Sequence, residues 1–192
     1  MKLKINRGQF FEGLQMVNPV ISARSTIVIL GNVLMEAGED GLSLTATDLD
    51  IRVRTVVPAK VEAKGRTSLP AKTISSIVRE MPGEEISIEV SGDHQVILES
   101  GNSLFRLKGL APDEYPAPVE LVRVREARMS QAELSRILGL TTYSASTDES
   151  RKNLNSIMFA IHENTLTTVA TDGKRLALVE KQLSAVRAFA AL

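Results

Sequence analysis

Three aspartates carry the kind of side chain that metal-dependent chemistry uses. Asp48 closes one Ala-Thr-Asp motif, with Asp50 two residues further on, and Asp172 closes a second such motif. Clustered carboxylates hold the paired divalent cations of phosphoryl-transfer enzymes. The two motifs are 124 residues apart and end equivalent segments, so their spacing does not bring the carboxylates together. We therefore predict no catalytic residues and no metal site.

Other signatures of catalysis are also missing from the sequence. It has no glycine-rich phosphate loop ending in Gly-Lys-Ser or Gly-Lys-Thr, and no nucleophile with a partnered base. His94 and His162 are isolated, and we expect them to be solvated, the first in a turn and the second at a strand end. The absence of cysteine excludes disulfides and thiolate metal sites. The chain is predicted to be a non-enzyme without a cofactor.

The duplicated motif belongs to a longer internal repeat. The segments GNVLMEAGEDGLSLTATDLDI and LNSIMFAIHENTLTTVATDGKRL share an asparagine, an apolar run, a polar turn, a second apolar run and the aspartate. Asn32 and Asn155 are 123 residues apart, so the second copy has one extra residue, which we place in its turn. Each copy follows an apolar helical stripe: Phe11, Leu14 and Val17 in the first, and Leu134, Ile137 and Leu140 in the second.

Capping signatures mark the start of the first helix in each copy. Asn6 with Gln9, and Ser130 with Glu133, have the three-residue spacing of helix caps. An alternating strand precedes each cap, over 2–6 in the first copy and within VRVREARM in the second. Each copy therefore opens with a strand followed by a helix.

The remaining pattern of the first copy predicts an α+β fold of helices packed on antiparallel sheets. The predicted elements are a helix over 8–18, strands near 27–37, 41–47, 50–58 and 60–68, a helix from Pro70 to the Pro82-Gly83 stop, and strands over 85–91, 94–100 and 103–109. The proline-rich segment GLAPDEYPAPVE is predicted to be an extended linker into the second copy.

The charge balance and hydropathy exclude several protein classes. With 23 basic and 23 acidic residues the net charge is zero, which excludes the strongly basic footprint of a tight nucleic-acid binder. The start MKLKINRGQF lacks the apolar run of a signal peptide, and no stretch approaches the roughly 20 apolar residues of a membrane span. We expect a soluble cytoplasmic protein with no membrane partner.

The sequence resembles the bacterial beta sliding clamps, the processivity subunits of replicative DNA polymerase III. The matching segments are ILGNVLMEA, LSLTATDLDI, SLPAKTISSIVREMP, FRLKGLAPDEYP and LTTVATDGKRLAL, in the order and spacing of that family. The resemblance implies the DNA-clamp fold, in which each protomer has three similar domains and two protomers close head-to-tail around duplex DNA. On this basis we expect a complete first domain over 1–119 and a truncated first half of the middle domain over 120–192. The third domain would be absent, so we expect that this chain cannot close a ring alone.

The resemblance implies that basic residues on the helices and their loops face sequence-independent duplex DNA. The positions that match are Arg7, Arg24, Lys72 and Arg79 in the first copy, and Arg136, Arg151 and Lys152 in the second. A solvated surface charge is an equally good interpretation of each one. The zero net charge fits sliding, because strong phosphate contacts would hold the protein in one register.

The second Ala-Thr-Asp motif has both an architectural and a functional interpretation. Asp-Gly is a strong hairpin-turn signal, so an architectural role is the simplest one for both copies. In the resembling family the segment after the second copy borders an apolar groove that takes short peptide motifs of polymerase and clamp-loader subunits. The positions that match this groove are Leu154, Thr171, Gly173, Lys174, Arg175 and Leu176. The rest of the groove would lie beyond residue 192.

Two functions remain open at this point. The resemblance implies a sliding clamp, homodimeric in the family, that encircles DNA and tethers the polymerase. Phe105 and Leu107, in FRLKGL, match the strand at its protomer interface, although a core role for Phe105 is an equal alternative. The second function is a non-encircling binding or inhibitory module that pairs with a full-length clamp or with partner peptides.

Overall fold

The chain folds into two compact units, Met1–Pro118 and Val119–Leu192. The computed structural model describes residues 1–21, 27–118, 125–148, 150–184 and 186–188. Among these residues, no helix is long and apolar enough to cross a membrane.

The first unit consists of two antiparallel sheets and two α-helices. Its elements are β1 (Lys2–Asn6), α1 (Arg7–Val17), β2 (Asn32–Gly38), β3 (Gly41–Thr47), β4 (Arg52–Val57), β5 (Ala59–Ala63), β6 (Gly65–Pro70), α2 (Ala71–Glu80), β7 (Glu85–Val90), β8 (Gln95–Ser100) and β9 (Ser103–Lys108). One sheet has the order β5-β1-β7-β8-β9 and the other β4-β3-β2-β6. The predicted α+β class with antiparallel sheets is confirmed.

The two helices of this unit pack side by side over one core. The Asn6 side chain accepts a hydrogen bond from the Gln9 backbone N–H at 3.1 Å, which is the cap that the sequence predicts for α1. Arg7 Nη1 donates to the Arg79 carbonyl at 3.1 Å, and Asn18 Nδ2 donates to Ser75 Oγ at 2.9 Å, so α1 and α2 run antiparallel. The core residues from both helices and both sheets include Phe10, Leu14, Ile74, Leu3, Leu44 and Ile88.

Two predicted strands are wrong in part. The segment predicted as a strand over 27–37 begins with a 3₁₀ turn, Val28–Gly31, in which Ile29 and Leu30 are both buried. The segment predicted as one strand over 60–68 is β5 and β6, interrupted at Lys64. These strands pair with β1 and β2 respectively, in different sheets. Local alternation continues through Lys64, so the change of sheet is decided by distant partners.

The predicted extended linker instead packs on the first unit. Leu110 forms an antiparallel bridge with Ser68, and Pro112–Glu114 form a 3₁₀ turn. The Tyr115 ring is buried with Leu34, and its hydroxyl lies 3.1 Å from the Thr45 carbonyl oxygen. Burial raises the pKa of the Tyr115 phenol above its ordinary value. The segment up to Pro118 is therefore part of the first unit.

The second unit repeats the opening of the first. Its elements are β10 (Arg125–Ala127), α3 (Gln131–Thr141), β11 (Met158–His162), β12 (Thr165–Thr171), β13 (Leu176–Gln182) and β14 (Val186–Ala188). The sheets are β11-β12-β13 and β10-β14. Ser130 and Glu133 form the predicted capping box of α3, and residues 122–124 of the predicted preceding strand lie outside the described residues.

The buried stripe of α3 is narrower than the sequence predicts, and that of α1 is shifted by one position at its start. In α3 only Ile137 of the predicted stripe is buried, whereas Leu134 and Leu140 are 36% and 43% exposed. In α1 the fully buried aromatic ring is Phe10, and Phe11 is half-buried. A spacing of three or four residues identifies a helix face but does not fix which neighbouring position points inward.

Candidate functional site

The second Ala-Thr-Asp motif forms a tight turn between β12 and β13. Thr171 Oγ1 donates to the Arg175 carbonyl at 2.7 Å and accepts from the Gly173 N–H at 3.1 Å. Asp172 Oδ1 accepts from the backbone N–H groups of Lys174 and Arg175, both at 2.9 Å. Gly173 has a φ of +88°, which a residue without Cβ adopts at little cost. The threonine and aspartate side chains of the motif thus make the hydrogen bonds that close the turn.

Asp172 also fixes the Arg175 side chain. Its Oδ2 lies 3.0 Å from Arg175 Nε, and the guanidinium carbon lies 5.9 Å from the centre of the Tyr143 ring. The two backbone N–H donors, helped by the Arg175 charge, lower the pKa of Asp172 below its ordinary value. The carboxylate is therefore an acceptor that holds the turn and presents an arginine.

The first Ala-Thr-Asp motif forms the same turn with the same bonds. Thr47 Oγ1 donates to the Ile51 carbonyl at 2.8 Å and accepts from the Leu49 N–H at 3.1 Å. Asp48 Oδ1 accepts from the backbone N–H groups of Asp50 and Ile51. Leu49, with a φ of +85°, occupies the position that Gly173 occupies in the second turn. Within the described residues, no group of three His, Cys, Asp or Glu side chains could hold a metal ion.

Two of the six proposed groove residues, Lys174 and Arg175, line a shallow depression in the second unit. The depression has a volume of about 230 Å³ and is lined by Ala145, Ser146, Thr147, Asp172, Lys174 and Arg175. The Ser146 N–H donates to the Leu154 carbonyl at 2.9 Å, which ties Leu154 to the same wall. Leu176 follows the turn and is 62% exposed. The fold therefore brings Leu154 and the turn to one depression, whereas Leu176 is exposed and does not line it.

The sequence reasoning missed part of this wall. Tyr143 and the segment 145–147 had no motif, yet the Tyr143 ring lies beneath Arg175 and the segment lines the depression. An aromatic residue just after a helix was the available signal, but its partner 32 residues away could not be predicted. Exposed leucine beside backbone groups and a fixed arginine can accept an extended peptide that has apolar side chains.

The predicted DNA-facing residues are mostly exposed. Lys72 and Arg79 lie on α2 seven residues apart, and hence on the same side of that helix, opposite the buried Ile74 and Val78. Arg79 pairs with Glu80 at 2.9 Å, and Arg151 pairs with Asp148 at 3.7 Å. The remaining predicted residues, Arg136 and Lys152, are exposed; Arg7 is half-buried beside Arg79, and Arg24 lies outside the described residues.

Strand β9, which holds Phe105 and Leu107, lies at the edge of the five-stranded sheet. Within the described residues it pairs with β8 alone. Phe105 is 36% exposed and Leu104 45%, whereas Leu107 is half-buried against the core. An open edge with exposed apolar side chains is a surface on which another strand can pair.

The two histidines differ in their surroundings. His162 ends β11 and is exposed, as predicted. His94 lies in its predicted turn with a φ of +60°, but it is half-buried rather than solvated. Its Nδ1 is buried without a hydrogen-bond partner among the described residues.

Comparison with known protein families gives two adjacent matches. Residues 1–119 match the N-terminal domain of the DNA polymerase III beta subunit, and residues 128–189 match its central domain. The chain belongs to the DNA polymerase III beta subunit family. The first match ends at the boundary between the two units and the second lies within the second unit, in agreement with the internal repeat of strand, helix and Ala-Thr-Asp turn.

Individual members of the beta subunit family are similar along nearly the whole chain. The beta sliding clamp of Halalkalibacterium halodurans is 35% identical over 93% of this chain and 49% of its own length. The sliding clamp of Bacillus subtilis has a TM-score of 0.88 at 31% identity, covering 96% of this chain and 51% of that one. A Bartonella birtlesii sliding clamp bound to griselimycin has a TM-score of 0.84 at 34% identity, covering 95% and 50%. The chain spans about half the length of these beta subunit relatives.

Proposed function

We propose that the chain acts as part of a sliding clamp, a ring that encircles duplex DNA and tethers the replicative polymerase, and that it does not close this ring alone. The observation that carries this proposal is the match to the first and central domains of the beta subunit, in order and along nearly the whole chain. The protein would work in the cytoplasm and catalyse no reaction, with the polymerase supplying the chemistry.

The charge distribution supports sliding. A net charge of zero provides little overall attraction to a polyanion. Lys72 and Arg79 project from one side of α2, where flexible cations would contact phosphates without reading bases. We assign Arg24, Arg136, Arg151 and Lys152 to the same DNA-facing role. Such contacts are alike at every register, so a captured protein can move along the duplex.

The turn of the second unit supports peptide binding. We propose that Leu154, Thr171, Gly173, Lys174, Arg175 and Leu176 form one wall of a groove for short motifs of polymerase and clamp-loader subunits. Gly173 leaves room for a peptide backbone, since a Cβ there would meet no atom within 4 Å. The griselimycin complex of the Bartonella birtlesii clamp shows that a member of this family binds a ligand.

Encirclement can be tested by the topology of the DNA. The chain is loaded on nicked circular duplex with the clamp loader of its own organism, alone or together with the third clamp domain, washed at high salt, and the circle is then cut once. We expect retention on the circle and release after cutting only when the third domain is supplied, because a closed ring slides off a free end. Equal retention on circular and linear DNA, or no retention with the third domain present, would contradict a role in an encircling clamp.

The exposed edge of β9 favours a second candidate function. We propose as the alternative a non-encircling module that pairs with a full-length clamp through Phe105 and Leu107. Size-exclusion chromatography of the chain with the full-length clamp of its organism should then show a complex. Phe105→Arg should abolish that complex, because a charge would be buried at the strand pairing. A chain that elutes alone in the mixture excludes this alternative.

A further inference from the structure

A pocket of about 390 Å³ lies on the outer face of the four-stranded sheet in the first unit. Its floor is formed by Leu34, Thr45 and Arg54 on β2, β3 and β4. Its wall is the segment from Pro112 to Pro118, which has three prolines and therefore few backbone N–H donors. Hydrogen-bond donors for a ligand must come mainly from side chains.

Arginines dominate the polar lining of this pocket. Arg54 Nε donates to Ser43 Oγ at 2.7 Å, and Arg52 Nη2 donates to the carbonyls of Pro116 and Ala117 at 2.6 and 3.0 Å. A guanidinium has five N–H donors, so both arginines keep further donors for a ligand. No carboxylate of the described residues forms an ion pair with either of them.

The third arginine of the pocket is already neutralised. Arg66 lies 2.9 Å from Glu36 and 3.9 Å from Asp113, which are the two acidic residues of the lining. Three arginines and two carboxylates leave the lining with one net positive charge, and Arg52 and Arg54 are the arginines without an acidic partner among the described residues. Two residues apart on β4, these side chains project from the same face of the strand.

In the repeat, this pocket corresponds to the face of β11, β12 and β13 that adjoins Leu176 of the proposed groove. Leu34, Thr45 and Arg54 are cross-strand neighbours, as are Met158, Val169 and Leu178. Each residue of the first set is 124 positions before its counterpart, as the aspartates of the two turns are. The extra residue of the second copy therefore lies before Met158, and its predicted place in the turn is wrong, because both turns between the paired strands have two residues. Arg52 directly follows the first turn, as Leu176 follows the second. The repeat thus presents arginines where the second unit presents leucines.

We propose that this pocket binds an acidic peptide segment of a partner protein, with carboxylates on Arg52 and Arg54 and an apolar side chain against Leu34 and the proline wall. Planar carboxylates match the fork of a guanidinium in bidentate pairs. Nucleic acid is a poorer fit, because the Tyr115 ring is too buried to stack on a base. The comparison with the second unit rests on the proposed peptide groove, but the charge argument does not.

The test is a binding titration of the 192-residue chain with a labelled hexapeptide of alternating glutamate and leucine. We expect saturable binding that weakens with salt, and loss of about tenfold or more in affinity in Arg54→Glu. Arg54→Lys should retain part of the affinity, since it keeps the charge and loses the fork. Thermal unfolding of each variant establishes that it is folded.

Matched controls separate this pocket from other effects. Arg106→Glu, on β9 in the other sheet, and Leu176→Ala, in the proposed groove, should leave hexapeptide binding unchanged. A groove that fails to bind clamp-loader peptides would overturn the proposed function without touching this result. The pocket proposal is overturned if the wild type does not bind, if glutamine replaces glutamate without loss, if inorganic phosphate competes as well as the peptide, or if Arg106→Glu weakens binding equally.

Discussion

At the scale of single residues, the two Ala-Thr-Asp turns differ in the residue that has a positive φ, and hence in backbone strain. Both turns have the same threonine and aspartate bonds, but the residue with positive φ is Leu49 in one and Gly173 in the other. A leucine in the left-handed region is strained, and its side chain is 57% exposed, so little packing compensates. The first turn therefore carries a strain that the second does not.

Replacing Leu49 should relieve that strain. We expect Leu49→Asn to raise the free energy of unfolding by about 0.5–1 kcal/mol, because asparagine tolerates this conformation without the chain entropy of glycine. Denaturant unfolding followed by circular dichroism measures the change. Ile51→Asn is the control, since Ile51 is equally exposed but has no positive φ. Equal effects of both substitutions would show that polarity, rather than φ, is responsible.

Asp172 makes the stability of the second turn depend on pH. Its pKa is lowered in the folded chain by the backbone N–H groups of Lys174 and Arg175. A lowered pKa means that the ionised form stabilises the fold above the ordinary value of 3.8, and that this contribution is lost as pH falls through the folded pKa. The turn should therefore weaken in acid.

The comparison of Asp172→Asn with the wild type measures this dependence. We expect the variant to be less stable at neutral pH and the difference to vanish in acid, where the wild-type carboxyl is also uncharged. Unfolding midpoints across that pH range provide the measurement. A difference that stays constant with pH would show that the carboxylate charge contributes nothing.

At the scale of elements, helix α1 packs against β3 and β4 of the four-stranded sheet at a glycine, Gly13. A Cβ at Gly13 would lie 2.5 Å from Val57 Cγ2 and 3.0 Å from Leu44 Cδ1. Both neighbours are buried, and valine is stiff about χ1, so neither side chain can move aside easily. The missing side chain therefore sets how closely the helix approaches β3 and β4.

Alanine at two helical glycines should have opposite effects. We expect Gly13→Ala to destabilise the first unit by about 1–3 kcal/mol through overpacking. Gly139→Ala in α3 should stabilise by up to about 1 kcal/mol, since its Cβ would meet no atom within 4 Å and alanine favours helix. Denaturant unfolding measures both variants. If Gly13→Ala left the free energy of unfolding unchanged, the close approach of α1 to the sheet would not require a glycine.

At the scale of the whole molecule, basic and acidic residues balance, but exposed cations lie together on one side of α2. The net charge is zero, while the side of α2 that bears Lys72 and Arg79 exposes two cations. The ion pair of Arg79 with Glu80 is exposed and therefore weak, so it does not prevent contact with a phosphate. DNA contact by the chain should thus be weak and independent of base sequence.

The double variant Lys72→Glu/Arg79→Glu tests this assignment. We expect weaker binding to duplexes of any sequence, with the slope of log affinity against log salt reduced by about two. Fluorescence anisotropy at several salt concentrations gives the slope. The control Lys60→Glu/Arg106→Glu makes the same charge change on the five-stranded sheet. If the control lowers the slope equally, overall charge rather than the α2 surface explains binding.

Much of the fold was predictable because its signals are local. Strand β3 has its predicted bounds, and the Asn6 and Ser130 caps lie where the sequence places them. Each cap and turn closes through hydrogen bonds within a few residues, as Thr47 with Ile51 shows. The groove residues were identified by resemblance, and their role stays a prediction that the structure makes testable.

The sequence by itself determined the repeat, the two turns, the helix starts and the membership of the beta subunit family. Only the tertiary structure decided that β5 and β6 enter different sheets, that the segment around Tyr115 packs on the first unit, and that Arg52 and Arg54 line a pocket. Tyr115 bonds to Thr45 across 70 residues, and Arg52 bonds to Pro116 across 64. Contacts over such separations leave no periodic pattern in the chain, so they become visible only once it is folded.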